Sequence, residues 1–318
     1  MERHATHAPR ATAINSSMAA PLDVADDMYL IAHDSVSGGA RLHAAAVDLG
    51  LAAGLLAELL LAGWASMDNG LLTAVDVRPA APPNLATRTP AAEAMPLTRQ
   101  VWNEMFREPW RHPLRTWLTV LAPAARERVV ERLAAAGHLT VVRSRRGAPP
   151  RAEPTDWNKA GWPAARLPVL LSRGDQFSWH DLVLLNLLNA IGLRDFLTTL
   201  DPPAREYHSR LLGHSTVHQP AIAELAEHTR AAVAATVLRR GTSQIIERLA
   251  GGIEAGLADG SLSGVDDPAH AAAILYELWL GATLLEKIHR NRQPLERAML
   301  ETRRMLNLPP VEPDGAQS

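Results

Sequence analysis

LGLAAGLLAELLLAGWA, residues 49–65, decides the architecture. It carries one ionisable residue, Glu58, near its centre, with Asp48 at its edge. A membrane span needs about 20 apolar residues, and a central carboxylate there is costly. The stretch is slightly short for that and reads as the buried core helix of a bundle, over about 44–63. Gly50 and Gly54 supply the small residues that let another helix approach closely. Helical periods also cover 25–33, 97–107, 113–121, 124–136, 203–212 and 220–239. The segment 124–136 begins near Pro123 and stops at Gly137, as start and stop chemistry prefers. Ser178 followed by Asp181 resembles a capping box before LVLLNLLNAIGL. In 220–239, Ile222, Leu225, Val233 and Val237 share one side. Two hairpins interrupt the pattern. One covers 65–77, where Asp68-Asn69-Gly70 precedes LLTAVDV; the other starts with LTVV at 139–142 and continues into RSRRGAPPR.

A second region follows Arg240-Gly241, with a first helix over about 243–258. Asp267 is an N-cap followed by Pro268, and Pro294 opens the last helix after the tight turn HRNRQ. This αα-hairpin carries a broad apolar stripe: Ile274, Leu275, Leu278, Leu284, Leu285, Ile288, then Leu295, Met299 and Met305, with Trp279 beside it. A hairpin alone cannot bury such a stripe, so a partner is expected. The fold class expected is mainly α, a helical bundle with small β-hairpins, followed by a C-terminal helical dimerisation region. Residues 1–20 and 309–318 read as a disordered extension and tail, with Met18 as an alternative start.

Composition narrows the function. The 318 residues are 47% hydrophobic and 21% charged with net charge −2, which excludes a chain disordered throughout and argues against a globally basic nucleic-acid binder. Absence of cysteine excludes disulfides, thiolate metal sites and thiol catalysis. Only Lys159 and Lys287 are lysines among 32 basic residues, consistent with GC-rich, actinobacterial-type coding. No GxSxG, HExxH, GxGxxG or Walker pattern occurs, so no enzyme and no cofactor are expected. His208, His214 and His218 read as loop histidines without a carboxylate pattern, not as a metal site. Glu58 reads as a helix-edge acid or one bonded to a neighbour.

The stronger signal is local and basic. Arg107, Arg111, His112 and Arg115 surround Trp110 and Trp117; Arg126 and Arg128 start the next helix; Arg143, Arg145, Arg146 and Arg151 occupy the second hairpin. Guanidinium forks suit phosphate oxygens, although arginine runs are more often solvated faces.

DDMYLIAHD (26–34), LGLAAGLLAELLLAG (49–63) with its hairpin, WRHPLRTWL (110–118) and ARERVVERLAAAGHL (125–139) together resemble the bacterial form of the Golgi phosphoprotein 3 family, over residues 22–238. The resemblance implies a mainly helical bundle that binds phosphatidylinositol 4-phosphate at a membrane surface, through a Trp and arginines beside a protruding hairpin. Arg126 falls at a family phosphate-binding arginine. The family's other arginine in that helix falls near Pro123; its pocket Trp falls near His43 and the arginine of its apolar helix at Ala52, and these last two central ligands are missing. The hairpin tip, SRRGAPPR, replaces the family's apolar tip. The lipid- or phosphate-binding set is then Arg126, Arg128, Arg143, Arg145, Arg146, Trp110, Arg111 and His43.

Residues 241–308, through LADGSLSGVDDPAHAAAILYELWLGATLLEKIHRNRQPLERAM, resemble the C-terminal end of TetR-type regulators. That resemblance implies a homodimer through Leu275, Leu278, Trp279, Leu285, Ile288, Leu295 and Met299. No DNA-reading helix-turn-helix is apparent, and no nucleic-acid partner is expected. The function expected is a non-catalytic peripheral membrane protein binding anionic lipid, cytoplasmic and at the inner face of the plasma membrane. The alternative is a soluble dimeric regulator or scaffold.

Overall fold

A computed structural model describes residues 22–75, 96–106, 112–142, 151–198 and 202–308. The terminal segments read as disordered lie outside the described residues, as does the 143–150 connection of the second hairpin. The fold is mainly helical, with eleven helices and two small antiparallel hairpins among the described residues. It divides after Val233 into two compact units.

In the first unit the apolar stretch forms α2 (Ala44–Leu61), buried from Ala46 to Leu59 apart from the half-buried Asp48. It is long and apolar enough to cross a membrane, yet most of its surface is covered by protein. It packs on α1 (Val24–Ala32), α4 (Leu114–Ala135) and α6 (Trp179–Ile191). Gly54 makes the α1 contact: a Cβ there would lie 2.9 Å from the Ala25 Cα, so any side chain must push the two helices apart. Around this centre sit α3 (Pro96–Met105), α5 (Trp157–Arg173), α7 (Arg194–Thr198), α8 (Pro202–His218) and the first part of α9 (Pro220–Ala258).

Both hairpins form. β1 (Ala65–Asp68) pairs with β2 (Leu71–Ala74) across Asn69-Gly70, both in the left-handed region as this two-residue turn requires. β3 (Leu139–Val142) pairs with β4 (Arg151–Pro154) in the register Val142 opposite Arg151. Ser178 caps α6, its Oγ accepting from the Asp181 N–H at 3.1 Å.

Three expectations about breaks are corrected. The helices placed at 113–121 and 124–136 are one, with Pro123 inside α4. Pro123 and Thr119, whose carbonyl loses its N–H donor, are both exposed, so water can serve that carbonyl. Leu118, Leu121, Ala125 and Val129 keep the opposite face in the core. Likewise α9 runs through Gly241 without a break, because a single mid-helix glycine costs only about 1 kcal/mol. The histidines placed in a loop lie on α8.

The second unit contains the rest of α9 with α10 (Pro268–His289) and α11 (Gln293–Met305). Its small core is Ile253, Ala271, Ala272 and Leu275, flanked by Ile246, Leu257, Leu262 and Met305. Asp267 caps α10 through the His270 N–H at 3.0 Å, and the Trp279 indole donates to Thr302 Oγ1 at 2.9 Å.

Candidate functional site

The candidate site lies where α1 ends and α2 begins. His43 is the N-cap of α2: its Nδ1 accepts from the Ala45 N–H at 3.2 Å, so the exposed ring carries its proton on Nε2. Arg126 reaches across from α4 and donates to the Ala44 carbonyl at 2.9 Å. Its Nε lies 2.9 Å from Asp48 Oδ1, close but misaligned for a hydrogen bond. Burial raises the Asp48 carboxyl above its usual value, against the pull of Arg126. Of the residues expected to bind phosphate, the fold therefore brings His43 and Arg126 together. Arg128, two positions on, points elsewhere and forms a bidentate pair with Glu104 at 2.8 and 3.0 Å. Trp110, Arg111, Arg143, Arg145 and Arg146 lie outside the described residues, as does Arg107.

The same corner holds Tyr29, His33, Asp34 and Arg41. His33 stacks on Tyr29 and bonds its carbonyl at 2.7 Å. Burial lowers the His33 pKa, and Arg126 and Arg41 push the same way against that carbonyl bond. Arg41 pairs with Asp34 at 3.2 Å and covers the Phe196 ring. The two guanidinium groups of this corner are matched by two carboxylates, so an anion must compete with Asp34 for Arg41 and with Asp48 for Arg126.

Two buried charge networks were less legible in the sequence. Glu58 accepts from the Ala25 N–H, Thr98 Oγ1 and both terminal nitrogens of Arg132, at 2.8 to 3.0 Å. Arg132 Nε donates to Asp26 at 2.8 Å. One guanidinium thus serves two buried carboxylates, and burial pushes Asp26 up to about 8 despite it, with Glu58 adding its repulsion. Nearby, Asp27 meets Arg166 and His180, and Arg166 also meets Asp181 at 2.7 Å. Glu58 is therefore an acid bonded to its neighbours. The missed residues were Arg132 and Arg166. The usable signal was Asp26-Asp27 inside the otherwise apolar VADDMYLIA, since buried carboxylates demand cations.

His208 is fully buried, and neither ring nitrogen has a hydrogen-bond partner among the described residues. Burial, reinforced by Arg194, lowers its pKa to about 4. A depressed histidine pKa means that the unfolded chain binds the proton first. Stability contributed by neutral His208 is present above about 6.5 and lost as pH falls toward 4. His208→Leu is expected to raise the melting temperature, with a larger gain at pH 5 than at pH 8. Equal gains at both pH values in thermal melts would refute this assignment.

The profile of the Golgi phosphoprotein 3 (GPP34) family matches residues 24–214. The chain belongs to the Golgi phosphoprotein 3 family. The match spans α1 through most of α8, and so includes the corner formed by His43 and Arg126. A second similarity is to the HTH-type transcriptional repressor NemR of Escherichia coli K12, 32% identical over 105 residues, covering 33% of this chain and 50% of that protein. The same protein of Escherichia coli O6:H1 matches equally. The chain spans about half the length of these curated relatives. This similarity is compatible with the TetR-like reading of residues 241–308. A Golgi phosphoprotein family and transcriptional repressors are both non-enzymatic kinds of protein.

Proposed function

We propose that the protein is a peripheral membrane protein that binds anionic lipid, phosphatidylinositol 4-phosphate among them, through the Golgi phosphoprotein 3 region. The observation that carries the reading is the run RSRRGAPPR, 143–151: four arginines and no acid, joining two paired strands in a chain whose net charge is only −2. Arg126, which reaches the Ala44 carbonyl beside His43 at the start of α2, adds one further cation. Arginine near an anionic surface contributes on the order of 1 kcal/mol, and salt screens it. Co-sedimentation of the full chain with vesicles, with and without phosphatidylserine or phosphatidylinositol 4-phosphate, tests this. Pelleting should require the anionic lipid and weaken steeply between low and physiological salt. Because His43 stands in place of the family's Trp and Asp48 competes for Arg126, selectivity for the phosphoinositide should be poor. A protein that ignores anionic vesicles at low salt ends the reading.

The second unit supports self-association as a further part of the proposal. Leu275 belongs to that unit's own core, and Leu278, Trp279 and Leu295 are half-buried. Leu284, Leu285 and Ile288 on α10, and Met299 and Leu300 on α11, face solvent, Leu300 at 65% exposure. Removing such a row from water is worth about 25 cal/mol per Å2, and a second copy of the same row would do so in a symmetric dimer. Light scattering should give a homodimer for the unmutated chain and a monomer for Leu284→Glu/Ile288→Glu. A monomeric unmutated chain removes this part and leaves the lipid reading untouched.

A further inference from the structure

We propose that His214 and His218 form a two-histidine clamp for a divalent transition-metal ion on the exposed face of α8. The inference goes beyond the lipid reading and does not depend on it. The family profile ends at residue 214, so it covers only the first of the two histidines.

The helix sorts the histidines at 208, 214 and 218. Residues six apart stand about 240° round a helix, whereas residues four apart are neighbours on one face. His208 is accordingly turned into the core, and His214 and His218 share a strip that faces solvent. Their rings lie 4.1 Å apart between centroids, with 35° between the planes. Among the described residues neither ring is held by a hydrogen bond or an ion pair, so each neutral imidazole offers a lone pair. Imidazole nitrogens bind zinc at about 2.0–2.1 Å, so two on one ion stand no more than about 4 Å apart. The two rings reach that span by turning about their side-chain bonds, with the helix unchanged. The backbone holds the spacing. Ser215, between the two, is buried and its Oγ accepts from Asn186 of α6 at 3.0 Å. The Gln219 N–H closes the last turn on the Ser215 carbonyl at 2.8 Å.

The surroundings favour a cation. His218 is the last residue of α8, at the negative end of the helix dipole. Arg210, one turn before His214, is drawn back over the Tyr207 ring at 5.5 Å from its centroid, away from the pair. Val217 and Gln219, which flank His218, carry no charge. The donor set then selects the ion. Two imidazoles suit Cu2+, Ni2+ and Zn2+, with Cu2+ bound most tightly, whereas Mg2+ and Ca2+ require oxygen donors. Among the described residues no third histidine, aspartate or glutamate completes a cluster. The clamp is therefore bidentate, and the remaining positions fall to water or to a donor from another molecule.

Calorimetric titration of the metal-free full chain with copper(II) chloride tests this. One equivalent should bind more tightly than the rest, and zinc chloride should fill the same site more weakly. His214→Ala and His218→Ala should each weaken that site on the order of a hundredfold, because the second donor acts within the molecule. His214→Ala/Val217→His keeps the number of histidines but sets two of them about 100° apart on the helix, so it should stay as weak as His214→Ala. Val217 is exposed, and metal-free melting temperatures should be unchanged in all three. Zinc should raise the melting temperature of the unmutated chain and of none of these variants. His4→Ala/His7→Ala, at the other closely spaced pair, should bind copper like the unmutated chain. If the respaced variant binds as tightly as the unmutated chain, histidines are taking up adventitious ions singly and the clamp is wrong. If the tight equivalent survives in His214→Ala/His218→Ala, or is lost in His4→Ala/His7→Ala, it sits elsewhere and the proposal falls.

Discussion

Arg132→Met is expected to be among the most damaging single substitutions in the first unit, costing about 3–5 kcal/mol. It removes the cation that Glu58 and Asp26 share, with side-chain exposures of only 3% and 7% for the two acids. Neither carboxylate can turn to water without unpacking α1 from α2. The melting temperature should fall by on the order of 10 °C. Removing one acid as well, as Arg132→Met with Glu58→Leu, should recover part of the loss, because Glu58, the more deeply buried of the two acids, is then no longer left without its cation. A drop of only a degree or two for Arg132→Met would mean that water reaches the network.

The same network sets a pH dependence. Asp26 has its folded pKa raised to about 8, above the unfolded value of 3.8, so the folded state holds the proton more tightly. Its contribution is fully present below the unfolded value and is lost as pH rises toward 8. Asp26→Asn should flatten this decline, measured as the difference between the two proteins' melting curves from pH 5 to 9. The single-proton limit on the slope is about 1.4 kcal/mol per pH unit.

Arg143→Ala/Arg145→Ala/Arg146→Ala is expected to abolish most vesicle binding. Three charges at on the order of 1 kcal/mol each amount to a loss of roughly a hundredfold at low salt. The fold should be untouched, because these residues lie in the connection between paired strands. Arg126→Ala should act differently. It removes one cation and its bond to the Ala44 carbonyl, so it should affect phosphoinositide vesicles more than phosphatidylserine vesicles. If the triple variant still sediments like the unmutated chain at low salt, the hairpin is not the binding element. The α1–α2 corner would then carry the binding.

Much of this molecule is written locally. The apolar run at 49–65 became α2, Asn69-Gly70 became the β1–β2 turn, and Ser178 and Asp267 became caps. Each is decided by residues within a turn or two of chain, through steric limits on the backbone and short hydrogen bonds. Breaks were expected at Pro123 and Gly241, but α4 keeps the face opposite Pro123 in the core, and one mid-helix glycine costs too little to end α9. Pairing of charges was decided only by the tertiary structure. Arg132 reaches Asp26 across 106 residues and Glu58 across 74, and Arg166 reaches Asp27 across 139. Periodicity marks which face of a helix turns inward, but not which distant helix brings the opposite charge.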